Sequence, residues 1–149
     1  MSVLFFHAYP GFPVYLLHNK ERSSLKFYIA STFTNKPLVR FVADKLKQAG
    51  WIHTYDWTKN EKATNRLELE SIGKAEKQAV QDADVFLLLL DGGKGSHTEF
   101  GMALAWDKKV YLYSENSSLD TTFYHLSEVN VIEGSIERFI EQVLEGARV

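Results

Sequence analysis

Six consecutive apolar residues, Val85-Phe86-Leu87-Leu88-Leu89-Leu90, stand between Asp84 and Asp91. No polar side chain interrupts them, so the run has no face to offer to water. Its length suits a strand covered on both sides, as in a parallel sheet packed between helices. Phe27–Ala30, Trp51–Tyr55, Val110–Tyr113 and Val129–Ile132 read as four further strands. Helical spacing fills the gaps. Leu38, Phe41, Val42, Leu46 and Ala49 recur after Pro37, a residue suited to a first helical turn, and Gly50 ends the pattern. Leu67–Asp82, Ser96–Asp107 and Ile136–Leu144 read as the other helices. The segments 56–66 and 114–128 read as polar loops.

Alternating strands and helices imply βαβ units with right-handed crossovers. The expected fold is a flavodoxin-like α/β three-layer sandwich with a five-stranded parallel sheet in the order 2-1-3-4-5. Ligands of such sheets bind beyond the carboxyl ends of the strands, at the switch between strands 1 and 3. The turns there hold Ser31 to Phe33 and Asp91 to Ser96.

The chain of 149 residues is one domain's worth. That domain is expected over residues 25–149, with residues 1–24 as an N-terminal appendage. Val3 to Leu17 are apolar and aromatic but broken by Pro10, Gly11 and Pro13. No basic residue precedes them and no small-residue cleavage site follows, so neither a signal peptide nor a membrane span fits. A cytoplasmic protein without membrane partners is expected. A net charge of −2 leaves no electrostatic footprint for nucleic acid. The absence of cysteine excludes disulfides and cysteine catalysis. The five histidines never fall in a ligand pair, so no metal is expected, and no cofactor motif is present.

The chemistry concentrates after the apolar run. Gly92-Gly93-Lys94-Gly95-Ser96-His97-Thr98-Glu99 leads from a strand into a helix. Glycines there let the backbone approach a ligand, and helix-start amides favour an anion. The spacing fits neither a phosphate loop of the Gly-x-x-x-x-Gly-Lys type nor a dinucleotide fingerprint. Glu99 has two readings. Ser96-x-x-Glu99 fits a capping box, with Ser96 as cap and Glu99 folding back onto its amide. Alternatively Glu99 is a catalytic carboxylate at the open end of the sheet. Glu76 falls in the middle of an apolar stripe made by Leu69, Ile72, Ala79, Val80 and Ala83. A carboxylate placed inward is costly unless it is paired or lines a cleft. Lys74 and Lys77 offer a local salt bridge, and a functional role is the other reading.

Two carboxylates at one cleft suit glycosyl chemistry. One attacks the anomeric carbon, and the other, kept protonated by its apolar setting, protonates the leaving base. Tyr28, Asp56 and Trp57 end or follow strands on the same rim. Trp57 either stacks on a base or covers its own loop.

Lys26-Phe-Tyr-Ile-Ala-Ser, Glu76 eight residues before Asp84-Val85, Asp91-Gly-Gly-Lys-Gly-Ser-His-Thr-Glu-Phe-Gly-Met-Ala-Leu-Ala and Lys109-Val-Tyr-Leu-Tyr occur in this order. Together they resemble the nucleoside 2-deoxyribosyltransferase superfamily, which includes the 2′-deoxynucleoside 5′-phosphate N-hydrolases. The resemblance runs from Lys26 to Ile140 and is most specific from Asp84 to Leu104. It implies Glu99 as nucleophile, Glu76 as acid/base where relatives more often carry Asp, and Tyr28 as the group that holds the nucleophile. It places Ser31, Phe33, Asp56, Trp57, Asp91, Gly93, Lys94, Gly95 and Ser96 around a nucleoside or nucleotide. The transferases carry a carboxylate six residues before the nucleophile for the sugar 5′-hydroxyl. Here that position is Gly93, which leaves room for a 5′-phosphate. The resemblance also implies a homo-oligomer, a dimer or larger, with the 114–128 loop as a candidate to complete a neighbour's site. Two other readings stand beside it: a phosphoribohydrolase of the cytokinin-releasing type, and a nucleotide-binding sensor without turnover.

Overall fold

The computed structural model describes residues 25–148. The expected N-terminal appendage lies outside them. The apolar run forms β3 (Val85–Leu89), every residue of which is buried. It pairs in parallel with β1 (Lys26–Ala30) on one side and β4 (Lys109–Ser114) on the other. β2 (Ile52–His53) adds to β1, and β5 (Val129–Glu133) adds to β4. The order is therefore β2-β1-β3-β4-β5, as the alternation predicts. Each fully buried Leu or Phe of β3 contributes about 1.5–3 kcal/mol, so the strand anchors the core.

The helices are α1 (Lys36–Gln48), α2 (Arg66–Asp82), α3 (Lys94–Ala105) and α4 (Ile136–Gly146). α1 packs with α4, and α2 packs with α3, which gives the two outer layers. Val39, Val42, Ala43 and Leu46 are the buried face of α1, whereas Phe41, expected inside, is exposed. Gly50, at φ +90°, lets the amide of Trp51 reach back to the Leu46 carbonyl at 3.1 Å and so close α1.

Three further expectations need correction. β2 is two residues long rather than five: Thr54 makes the last backbone bond to β1, its amide donating to the Phe27 carbonyl at 3.0 Å, before the chain leads into a 3-10 turn at Trp57–Lys59. The 56–66 loop does carry packing. Trp57 and Thr58 are buried, and the Trp57 indole N–H donates to the Ile29 carbonyl at 2.7 Å. Leu69, counted in the apolar stripe of α2, is exposed, as is Leu67. Only the second half of α2 reaches the core, through Ala79 and Val80. The β4–β5 crossover carries no α-helix. A 3-10 turn at Thr122–His125 takes its place, and Tyr124 packs edge-on against Phe100 of α3 at 5.9 Å.

Candidate active site

The turns after β1 and β3 are tied to each other, which builds the rim. The Ser31 hydroxyl donates to the Leu89 carbonyl at 2.7 Å, and the Thr32 amide donates to the Asp91 carbonyl at 3.2 Å. The Asn35 side-chain amide bonds both Ser31 Oγ (3.0 Å) and the Leu90 carbonyl (3.3 Å). Ser31 is thus a structural stitch, with its proton committed to backbone. Sequence reasoning missed Asn35, whose only signal was its place just before the helix.

α3 starts two residues earlier than the sequence pattern predicts. Gly93 is the N-cap, and Ser96 folds back to accept from the Gly93 amide at 2.6 Å. The capping reading of Glu99 therefore falls, because Ser96 occupies the position that closes the box. Glu99 sits a further turn inside the helix and is only 8% exposed. Lys94 and Gly95 open α3 on its exposed side, and nothing stands within 4 Å of a Cβ built at Gly93 or Gly95. Gly92 is different: a Cβ there would meet Ser96 Oγ at 2.7 Å and His97 Cε1 at 2.8 Å. Glycine is needed at 92 because the turn folds tightly onto α3.

Three side chains from three elements converge. Tyr28 comes from β1, Glu76 from α2 and Glu99 from α3. Burial pushes the Glu99 carboxyl up to about 8, repulsion from Glu76 adds to that lift, and the Tyr28 hydroxyl opposes it. Burial also raises Glu76, which is half-buried. Tyr28 is held far above the ordinary phenol range by burial first and by the charges of Glu99 and Glu76 next. Its hydroxyl is buried without a full hydrogen bond, yet it is near enough to Glu99 for each to shift the other's titration. Glu76 forms no ion pair among the described residues, and Lys74 pairs with Glu70 instead at 2.6 Å. The local salt bridge is thus not made. Glu76 was expected to be the carboxyl held protonated. Both are raised, but the larger lift falls on Glu99, which is the more deeply buried.

The remaining candidates divide. Asp91 is exposed, and its Oδ1 accepts from the Ser117 hydroxyl at 2.6 Å. Phe33 is exposed, with the Lys36 ammonium 3.6 Å over its ring. Trp57, offered as a stacking surface, is buried against Phe33 and bonded to the sheet, so it supports the rim from below. Asp56 caps the 3-10 turn. Burial disfavours its charge, but the Thr58 hydroxyl (2.5 Å) and amide (3.1 Å) outweigh that and hold the carboxyl below its usual range. Asp56 thus belongs to a compact local structure. His97 stands in the glycine-turn motif, but its spacing assigns it no role. Its Nδ1 donates to the Gly93 carbonyl at 2.8 Å, and its Nε2 accepts from the Tyr124 hydroxyl at 2.5 Å.

Two grooves of about 570 and 580 Å³ open on the described surface, and neither is lined by Tyr28, Glu76 or Glu99. The first runs along Asn60 to Thr64 and reaches Ile72, one turn before Glu76. The second lies between α3 and the Thr121–Leu126 segment and begins at His97. No group of three or more metal-ligating side chains occurs among the described residues, and none of their helices is long and apolar enough to cross a membrane.

No family model matches the sequence, and no curated protein does. Solved structures do match. The CMP N-glycosidase BcmB of Clostridium botulinum superposes with a TM-score of 0.60 at 19% identity, over 80% of this chain and 98% of that one. The solution structure of BlsM superposes at 0.64 and 15% identity, over 83% and 89%. A conserved protein from Enterococcus faecalis V583 gives 0.57 at 18% identity, over 83% and 99%. The fold is flavodoxin-like. In the flavodoxin-like sheet the carboxyl-end rim between β1 and β3 is the ligand edge, and Glu99 stands on the helix that leaves it.

Proposed function

We propose that the protein cleaves the N-glycosidic bond of a nucleoside or its 5′-monophosphate, as a member of the nucleoside 2-deoxyribosyltransferase superfamily. One observation carries this reading: two carboxyls from different helices share a buried site with a tyrosine and, among the described residues, no cation. A structural role would call for a Lys or Arg partner. The fold shared with a CMP N-glycosidase supports the reading.

The pair holds a proton around neutral pH, since burial first and the charge of Glu76 next push the Glu99 carboxyl up to about 8. In the empty site the proton favours Glu99. Positive charge developing at the anomeric carbon reverses that preference, because an oxocarbenium ion stabilises the carboxylate it faces. Glu99 then bonds to C1′ as the C1′–N bond breaks, and Glu76 gives its proton to the departing base. Water or a second base next attacks C1′, loses its proton to Glu76 and releases Glu99. Once Glu99 is ionised, the neighbouring Tyr28 hydroxyl is placed to donate to it and keep it aimed. Helix-start amides at Lys94, Gly95 and Ser96, with the Lys94 ammonium, suit a 5′-phosphate. Gly93 offers no carboxylate to repel it.

A panel of nucleosides and 5′-monophosphates, with and without an acceptor base, tests the reading by chromatography. Free base released by the parent protein and not by Glu99→Gln is the expected result. No release from any member of the panel overturns it. A sensor would instead bind one of them tightly without turnover.

A further inference from the structure

The Gly93 carbonyl receives three donors: the His97 amide at 3.1 Å, the Ser96 hydroxyl at 3.0 Å and His97 Nδ1 at 2.8 Å. Two lone pairs serve three bonds, so the Gly93 carbonyl is locked with its oxygen toward α3. The His97 ring is itself fixed. With Nδ1 donating, Nε2 is an acceptor, and the Tyr124 hydroxyl donates to it. The ring also packs edge-on against Phe100 and beside Tyr124. Gly92 leaves little room for the imidazole to swing, since a Cβ built there would already meet His97 Cε1. A second tie, from the Ser117 hydroxyl to Asp91 Oδ1, joins the same 114–125 segment to the other end of the turn.

We propose that His97 and Tyr124 form a brace through which the β4–β5 crossover sets the conformation of the glycine turn that leads to Glu99. This rests on the glycosidase reading for its consequence in catalysis, though not for its geometry. His97 is a positioning residue. It bonds the backbone of the turn, and its other nitrogen is spent on Tyr124. Without the brace the Gly93 carbonyl keeps only the Ser96 hydroxyl and the His97 amide, and the turn loses its tie to the β4–β5 crossover. The chief effect is on substrate capture rather than on bond cleavage.

The two nitrogens can be cut separately. Asn in place of His97 keeps a donor for Gly93 and loses the reach to Tyr124. Tyr124→Phe cuts the same link from the other side. Each should raise KM about 3- to 10-fold, the worth of one hydrogen bond, with kcat changed less than about threefold. His97→Ala should raise KM further, and adding Tyr124→Phe to it should do no more harm, because the link is already gone. Backbone amide signals of Gly92 to Ser96 should move in the Tyr124→Phe protein, although Tyr124 lies 27 residues from His97 in sequence. Unmoved amides overturn the brace, whether or not the parent releases a base. Moved amides with unchanged KM, or additive losses in the double variant, overturn its role in positioning. A lower melting temperature with no split between KM and kcat marks a merely structural contact and also overturns it.

Discussion

α2 and α3 lie side by side on one face of the sheet, and each presents a glutamate to the same place. Their surroundings differ. α3 is apolar around Glu99, with Phe100 and Ala103 buried beside it. α2 is amphipathic, and its first half, with Leu67 and Leu69, stands in solvent. Glu76 therefore keeps a wet side and Glu99 does not. The same carboxyl group acquires two proton affinities from this difference. Burial lifts Glu76, while burial and the neighbour's charge together lift Glu99 to about 8. The lesson is that the helix with the drier setting governs the charge of the pair.

The largest effect should come from Glu99 itself. Glu99→Ala and Glu99→Gln remove the attacking oxygen and should lower kcat by about 10³-fold or more. Glu99→Asp withdraws the oxygen by more than ~1 Å and should fall about 10²-fold or further, close to the alanine variant. Affinity for the substrate should persist in Glu99→Gln, as read by calorimetry. A fully active Glu99→Ala protein would break the comparison at once.

Stability should respond next. The proton of Glu99 binds more tightly in the folded protein than in the unfolded chain, where the carboxyl titrates near 4.5. The folded state therefore holds more protons between those two values, and stability falls as pH rises from about 4.5 to about 8. Glu99→Gln is neutral throughout. Relative to the parent it should gain about 2–4 kcal/mol between pH 5 and pH 8, since each tenfold change in proton affinity is worth about 1.36 kcal/mol, and denaturant midpoints read the gain. Parallel curves for the two proteins would mean that Glu99 is charged at no penalty.

Glu76 should show the smaller and more graded response. Glu76→Ala removes the general acid and should cost about 10²-fold in rate, whereas Glu76→Asp should keep measurable activity. In the parent, kcat/KM should fall about tenfold per pH unit above about 8, as the pair loses its last proton. In Glu76→Ala that limb should disappear, since the lost proton no longer has a catalytic task. An identical pH profile in both proteins would show that the helices act separately.

Much of this was legible in the residues. The unbroken apolar run from Val85 required a strand with cover on both faces, and the strand order followed from the alternation around it. Glu76 was visible because a charge in an apolar stripe violates helical patterning. The burial of Trp57 was not, because a short polar stretch carries no periodicity to reveal one buried ring. The turn before Glu99 could be located but not resolved. Whether Ser96 or Gly93 caps α3 depends on where the chain leaves β3, and residue spacing allows either.

Sequence alone determined the layers, the strand order and the residue types at the rim, because local periodicity and burial demand fix those. Tertiary structure decided how the residues divide their work. It brought Tyr28, Glu76 and Glu99 together from positions as far as 71 residues apart. It also closed His97 onto Tyr124 and tied Asp56 and Trp57 into hydrogen bonds with Thr58 and Ile29. Hydrogen-bond partners and carboxyl titration depend on distances across the fold, and a one-dimensional pattern holds no record of those.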